Sequence, residues 1–166
     1  MVVRLGAAIC VAAISVVYSS YSIARPLDQN QNKPNGGSAS HAIAGVASEY
    51  NPYRPGNREG GAETASGERY DPDAWTAAIQ TDLREIFGGV RYGRDYRPAY
   101  ALVASAHKKV IVKINDVGPL EPGRIIDFNE QTMRYFDPTL QLGLIHIEVT
   151  PLPGDDWSPG PIVEID

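Results

Sequence analysis

Apolar and polar positions alternate with a period of two over much of the second half of the chain. Val110, Val112 and Ile114 fall on one side of Lys109 to Ile114, and Ile145, Ile147 and Val149 fall on one side of Leu144 to Val149. A two-residue period places one face of a strand on a core, so both segments are predicted strands. Ala99 to Ser105, Gly45 to Tyr50 and Arg124 to Phe128 are further strand candidates. Asn129 is a good N-cap for a helix running through Phe136, which Asp137-Pro138 stops. Between these strands, Trp75, Ile79, Leu83 and Ile86 repeat at helical spacing. With Pro72 and Asp73 at one end and Gly88-Gly89 at the other, they predict a second helix over Asp73 to Phe87. The balance is a small β-rich barrel with helical insertions.

The first two dozen residues have a different character. Arg4 supplies a positive start, Leu5 to Val17 is apolar, and Ser22-Ile23-Ala24 has the small-x-small form that signal peptidase cuts. The apolar run is shorter than the ~20 residues of a spanning helix, so residues 1–24 are expected to be a removable export signal. The mature chain is then expected to be secreted or periplasmic, with no integral membrane segment. Residues 25–44 are rich in Asn, Gln, Pro, Gly and Ser and are expected to be a disordered linker. The folded domain is expected over residues 45–151, and residues 152–166, in which Pro153, Pro159 and Pro161 follow Pro151, are expected to form an extended tail.

Charge and cysteine usage narrow the chemistry. The chain carries 15 Lys and Arg against 20 Asp and Glu, a net charge of -5, and loss of Arg4 with the signal makes it -6. Nucleic acid is an unsuitable partner for such a domain. Cys10 is the single cysteine and lies in the signal, so the mature chain has neither disulfide nor thiolate chemistry. His41, His107 and His146 have no metal-ligand spacing, and no metal is predicted. Ser48, Ser66 and Ser105 lack an accompanying His/Asp pattern, which excludes a serine hydrolase.

Candidate chemistry gathers around carboxylates. Asn115-Asp116-Val117-Gly118-Pro119 and Gly123-Arg124-Ile125-Ile126-Asp127-Phe128 put two acids at the ends of two short strands joined by a Gly/Pro turn. Two acids in one cleft can have their proton affinities pushed apart, so that one keeps a proton near neutral pH. Aspartates beside Gly and Pro are also common turn-formers and caps, and on these residues alone both readings stand.

The order of motifs adds to this. Gly45 to Tyr50, Thr64-Ala65-Ser66-Gly67-Glu68-Arg69-Tyr70-Asp71, Thr76-Ala77-Ala78, Val112 to Pro119 and Gly123 to Phe128 together resemble the rare lipoprotein A (RlpA) family. The resemblance implies a six-stranded double-psi β-barrel, a fold shared with expansins and barwin-like proteins. It also implies an endolytic lytic transglycosylase that cleaves peptidoglycan glycan between N-acetylmuramic acid and N-acetylglucosamine without a cofactor. Carried over by position, Asp127 is expected to be the general acid/base, with Asp116, Glu68 and Asp71 orienting the sugar or tuning that acid. Thr64, Tyr70, Asn115 and Arg124 are expected to bind substrate, and the partner is the glycan strand.

Two features depart from the family pattern. Its T-A-A-H motif ends here in Ile79, which cannot transfer a proton. Gln80 to Pro98 is long and carries Arg91, Tyr92, Arg94, Tyr96 and Arg97, a set suited to a sugar-stacking or anion-binding loop or to a solvated surface. The Ile79 departure keeps a second expectation open, an expansin-like barrel that holds wall glycan without cutting it. Trp75 is assigned to the core and Trp157 to an exposed stacking position or a tail anchor.

Overall fold

The computed structural model describes residues 41–56, 61–89 and 96–163. The predicted signal, nearly all of the predicted linker, and Arg91, Tyr92 and Arg94 of the long loop lie outside the described residues. Seven strands occur among the described residues: β1 (Ile43–Glu49), β2 (Thr76–Gln80), β3 (Ala99–Ser105), β4 (Lys108–Gly118), β5 (Arg124–Phe128), β6 (Ile145–Leu152) and β7 (Gly160–Pro161), with helix α1 (Glu130–Phe136) between β5 and β6.

Six of these strands close into a ring in the order β2-β5-β1-β6-β3-β4, and β4 pairs again with β2. The β1–β5 and β2–β4 pairs are parallel and the other ring pairs antiparallel. Parallel neighbours need a crossover connection. Here the chain from β1 to β2 passes β5, and the chain from β4 to β5 passes β2, which is the double-psi arrangement. Closure leaves no long edge exposed. β4 is longer than β2, and the edge it leaves beside Val110 and Ile111 is taken up by β7.

Alternation along the strands fills the interior. Val103, Val110, Val112, Ile114, Ile126 and Phe128 are all fully buried, and Met133 of α1 closes on the same core. The helix starts where its cap predicts, with the Asn129 side chain accepting a hydrogen bond from the Thr132 N–H. β6 runs on to Leu152, beyond its pairing with β1, which ends at Val149. Pro151, which lacks an N–H, therefore falls where only β3 pairs with the strand.

The helix expected over Asp73 to Phe87 does not form. The chain instead makes strand β2, a 3-10 turn over Thr81–Leu83 and further turns that end at Gly88 and Gly89, both at positive φ. Ile79 satisfies the helical and the two-residue periods equally well, but Ala77 and Ile79 are buried while Thr76, Ala78 and Gln80 are not. Ile86, the last member of the helical series, is 55% exposed. Hydrogen bonding from β4 on one side and β5 on the other decides in favour of the strand.

Candidate active site

Strand register builds the site. Ala78 of β2 pairs with Asp127 of β5 on one side and with Asp116 of β4 on the other. Asp127 in turn pairs with Ser48 of β1. Paired residues share a face of a sheet, so Ser48, Asp127, Ala78 and Asp116 form one cross-strand row. Asp116 joins this row because the register shifts between Ala77 and Ala78, so that Ile114 pairs with the first and Asp116 with the second. With neighbouring strands ~4.8 Å apart, the two aspartate backbones are about 10 Å apart across Ala78. The alanine methyl leaves the space between the carboxyls open.

Each carboxyl is held. Asp116 Oδ1 accepts hydrogen bonds from the backbone N–H groups of Ala65 (2.8 Å) and Val117 (2.9 Å). Burial raises the Asp116 carboxyl above its ordinary value, against the opposing effect of these two bonds. Asp127 is almost fully buried, and the Ser48 hydroxyl donates to its Oδ1. Both acids line a cleft of about 450 Å³ whose walls include Tyr50, Glu63, Leu120 and Arg124. Gln80 fixes one wall: its amide donates to the Leu120 carbonyl and accepts from the Leu120 N–H, each at 3.0 Å. Both acids are strand residues, which answers the turn-former alternative.

The Thr64 to Asp71 motif forms a small hairpin laid along β4. Glu63 bridges to Arg69, Thr64 N–H bonds to the Glu68 carbonyl at 2.9 Å, and Gly67 takes the turn at φ 85°. Ser66 N–H bonds to the Asn115 carbonyl at 3.0 Å, so the hairpin is tied to the strand that carries Asp116.

The structure does not gather all the expected site residues in one place. Asp116, Asp127 and Arg124 line the cleft, whereas Glu68, Asp71 and Asn115 line a second depression of about 310 Å³. The outer arm of the hairpin, with Glu63, borders the first, and the returning arm, with Glu68 and Arg69, borders the second. Glu68 is bound there to Lys113 (2.5 Å) and to the Asn115 amide (3.2 Å). Asp71 is exposed and accepts from the Asp73 N–H at 3.0 Å. Thr64 and Tyr70 are buried and support the hairpin: Thr64 Oγ1 bonds to the Glu68 carbonyl, and the Tyr70 hydroxyl donates to the Tyr50 carbonyl and accepts from the Glu130 N–H. Burial pushes the Tyr70 phenol up to about 12.

Ser48, Ala78 and Gln80 belong to the site without a site role expected for them from the sequence. A small residue between two acids, with a hydroxyl behind one of them, has meaning only once register is known. Among the described residues, no group of three or more His, Cys, Asp or Glu side chains is placed to hold a metal ion. A wider depression of about 600 Å³, lined by Val46, Ser105, His146 and Glu148, gathers none of the expected site residues.

A family model described as lytic transglycolase matches residues 42–149, which covers the whole barrel through Val149. The chain belongs to this RlpA-like double-psi β-barrel family. Its relatives include endolytic peptidoglycan transglycosylase RlpA of Yersinia pestis, 36% identical over 51% of this chain and 19% of that protein. The protein of the same name from Neisseria meningitidis serogroup A is 34% identical over 57% of this chain and 34% of its own length. The probable endolytic peptidoglycan transglycosylase RlpA of Nostoc is 33% identical over 60% and 22%. The chain thus matches between about a fifth and a third of the length of these relatives. Among solved structures, Streptomyces papain inhibitor has the same fold, with a TM-score of 0.50 at 15% identity, over 68% of this chain and 94% of that one.

Proposed function

We propose that this protein is an extracytoplasmic lytic transglycosylase that cuts peptidoglycan glycan between N-acetylmuramic acid and N-acetylglucosamine. The observation that carries this reading is the pair of aspartates facing one cleft across Ala78. The names of the relatives supply the substrate class. The predicted signal at residues 1–24 supports export.

The reaction needs one proton donor and no external water. A protonated carboxyl gives its proton to the glycosidic oxygen as the bond from the muramic anomeric carbon breaks. The C6 hydroxyl of the same sugar attacks that carbon, its proton passes to the carboxylate just formed, and a 1,6-anhydro ring closes. A hydrolase would need a second carboxylate to activate water or form a covalent intermediate.

The motif comparison gives the acid's role to Asp127, but the upward shift of the Asp116 carboxyl supports the reverse division. Burial raises the Asp116 carboxyl above its ordinary value, against the two fixed bonds that both fall on Oδ1. Asp127, tied to Ser48, suits a partner that orients the sugar. Incubation of the wild-type chain, Asp116→Asn and Asp127→Asn with amidase-stripped glycan, read by mass spectrometry for 1,6-anhydro-muramic ends, tests both points. The expected result is product from wild type and none from Asp116→Asn. Full activity in Asp116→Asn would remove it as the acid, and no product from wild type would remove the enzyme reading.

One observation favours a second reading, a barrel that grips glycan without cutting it. Ile79, where the family motif has histidine, is fully buried and pairs with Val117 and Ile126 on the core side of β2. Binding to sacculi without release of fragments is the outcome that would select this reading.

A further inference from the structure

Trp75 packs against the hydrophobic core, as its place in the apolar pattern predicts, but the core does not cover it completely. It is half-buried, meets the Tyr135 ring edge-on at 5.9 Å between centroids, and lines the second depression together with Lys113, Asn115 and Pro159. Pro159 belongs to the C-terminal segment, which is fastened on both sides of this point. Trp157 Nε1 donates to the Pro153 carbonyl at 2.8 Å, β7 pairs with β4, and Ile162 N–H bonds to the Lys109 carbonyl at 2.9 Å. The tail therefore forms a wall, held to β4 by backbone bonds after Pro159 and folded on itself by the Trp157 side chain before it.

The polar side of the depression is preorganised. Lys113 Nζ is 2.5 Å from Glu68 Oε1 and 5.5 Å from the centroid of the Tyr96 ring, while Asn115 Nδ2 reaches Glu68 Oε2 at 3.2 Å. Ammonium, carboxylate and amide hold one another in place, and their remaining donor and acceptor positions are fixed before any ligand arrives. Arg69 and Lys113 balance Glu68 and Asp71, so the depression has no surplus charge to attract an ion. An indole, a proline ring and a fixed set of polar groups in a concavity near the lower size limit of ligand sites suit a neutral, hydroxyl-rich ring with an apolar face.

We infer that this depression is a saccharide-binding site distinct from the acid pair, with Trp75 as its stacking surface and the Lys113–Glu68–Asn115 set as its polar contacts. It takes an N-acetylhexosamine unit, a choice of sugar that rests on the function proposed above. Its position on the far side of the hairpin from Asp116 and Asp127 lets it hold glycan whether or not the cleft cuts.

The chain has two tryptophans, so comparison with Trp157→Phe identifies the Trp75 indole N–H signal in the ¹⁵N-labelled wild-type chain. Titration with the β-1,4-linked tetramer of N-acetylglucosamine should shift that signal saturably, and equally when Asp116→Asn is added. Lys113→Met should weaken binding by about tenfold, the usual effect of removing a charge-assisted hydrogen bond. Pro159→Gly, on the exposed tail, should weaken it severalfold with thermal stability retained. A saturable Trp75 shift without glycan cleavage by the wild-type chain would keep this site and remove the proposed enzyme. Cleavage with a silent Trp75, or a shift unaffected by both Lys113→Met and Pro159→Gly, would overturn the site.

Discussion

Replacing Ile79 with histidine restores the motif's residue type at a position whose environment rejects it. Ile79 is 0% exposed and pairs with Ile126 and Val117. Removing a buried isoleucine side chain forfeits about 1.5–3 kcal/mol of burial. An imidazole nitrogen left without a partner among apolar neighbours adds about 1–3 kcal/mol. Ile79→His is therefore expected to lower stability by about 2.5–6 kcal/mol, centred on about 4 kcal/mol. With a urea dependence of ~2 kcal/mol per molar for a domain of this size, the unfolding midpoint should fall by about 2 M. Burial also disfavours the charged imidazole, which lowers its folded pKa below the unfolded value of about 6.5. The unfolded state then takes up the proton first, so the deficit should widen as pH falls below about 6.5. Urea melts at two pH values and the 1,6-anhydro assay on the same preparations provide the readout. A midpoint equal to wild type, together with a higher cutting rate, would show that residue 79 opens on the cleft and would refute its placement in the core.

Four further outcomes follow. Because burial raises the Asp116 carboxyl, cutting should be supported while that group is protonated and should fall as pH rises through its folded pKa; a rate flat from acid to alkaline pH would remove the carboxyl acid. The same raised pKa means that stability is greatest below the unfolded aspartate value and is lost as pH rises through the folded one, and urea melts across pH should show Asp116→Asn flattening that decline. Ala78→Val should leave stability within about 1 kcal/mol, since a β-branched residue suits a strand, but should reduce cutting by at least a hundredfold by filling the space between the two carboxyls, as measured by release of soluble fragments. Asn129→Ala should cost about 2 kcal/mol or more in thermal unfolding, because its side chain caps α1 and also donates to the Asp71 and Ala74 carbonyls.

Several elements were legible before any coordinates, for a local reason. β3, β5, most of β4 and β6, and α1 with its Asn129 cap lie where alternation and capping place them, because their periods span only a few residues and fit a single regular structure. The motif order also carried the family. Long-range pairing settled the rest. Ile79 fits two periods at once, and only hydrogen bonding to both β4 and β5 makes the segment a strand rather than a helix. Glu68 and Asp116 belong to motifs read together in sequence, yet they border different depressions because Glu68 lies on the returning arm of the hairpin. Trp75 sits in an apolar pattern, but the returning tail makes it the wall of an open site.

Sequence by itself determined which segments can be strands, where chain reversals fall and which acids the chain has available. The tertiary structure decided which acids face each other, because a one-residue change of register moves every side chain of a strand to the opposite face. The shift beside Ala78 that brings Asp116 into line with Asp127 is set by strands brought together across the barrel, and no neighbouring residue encodes it.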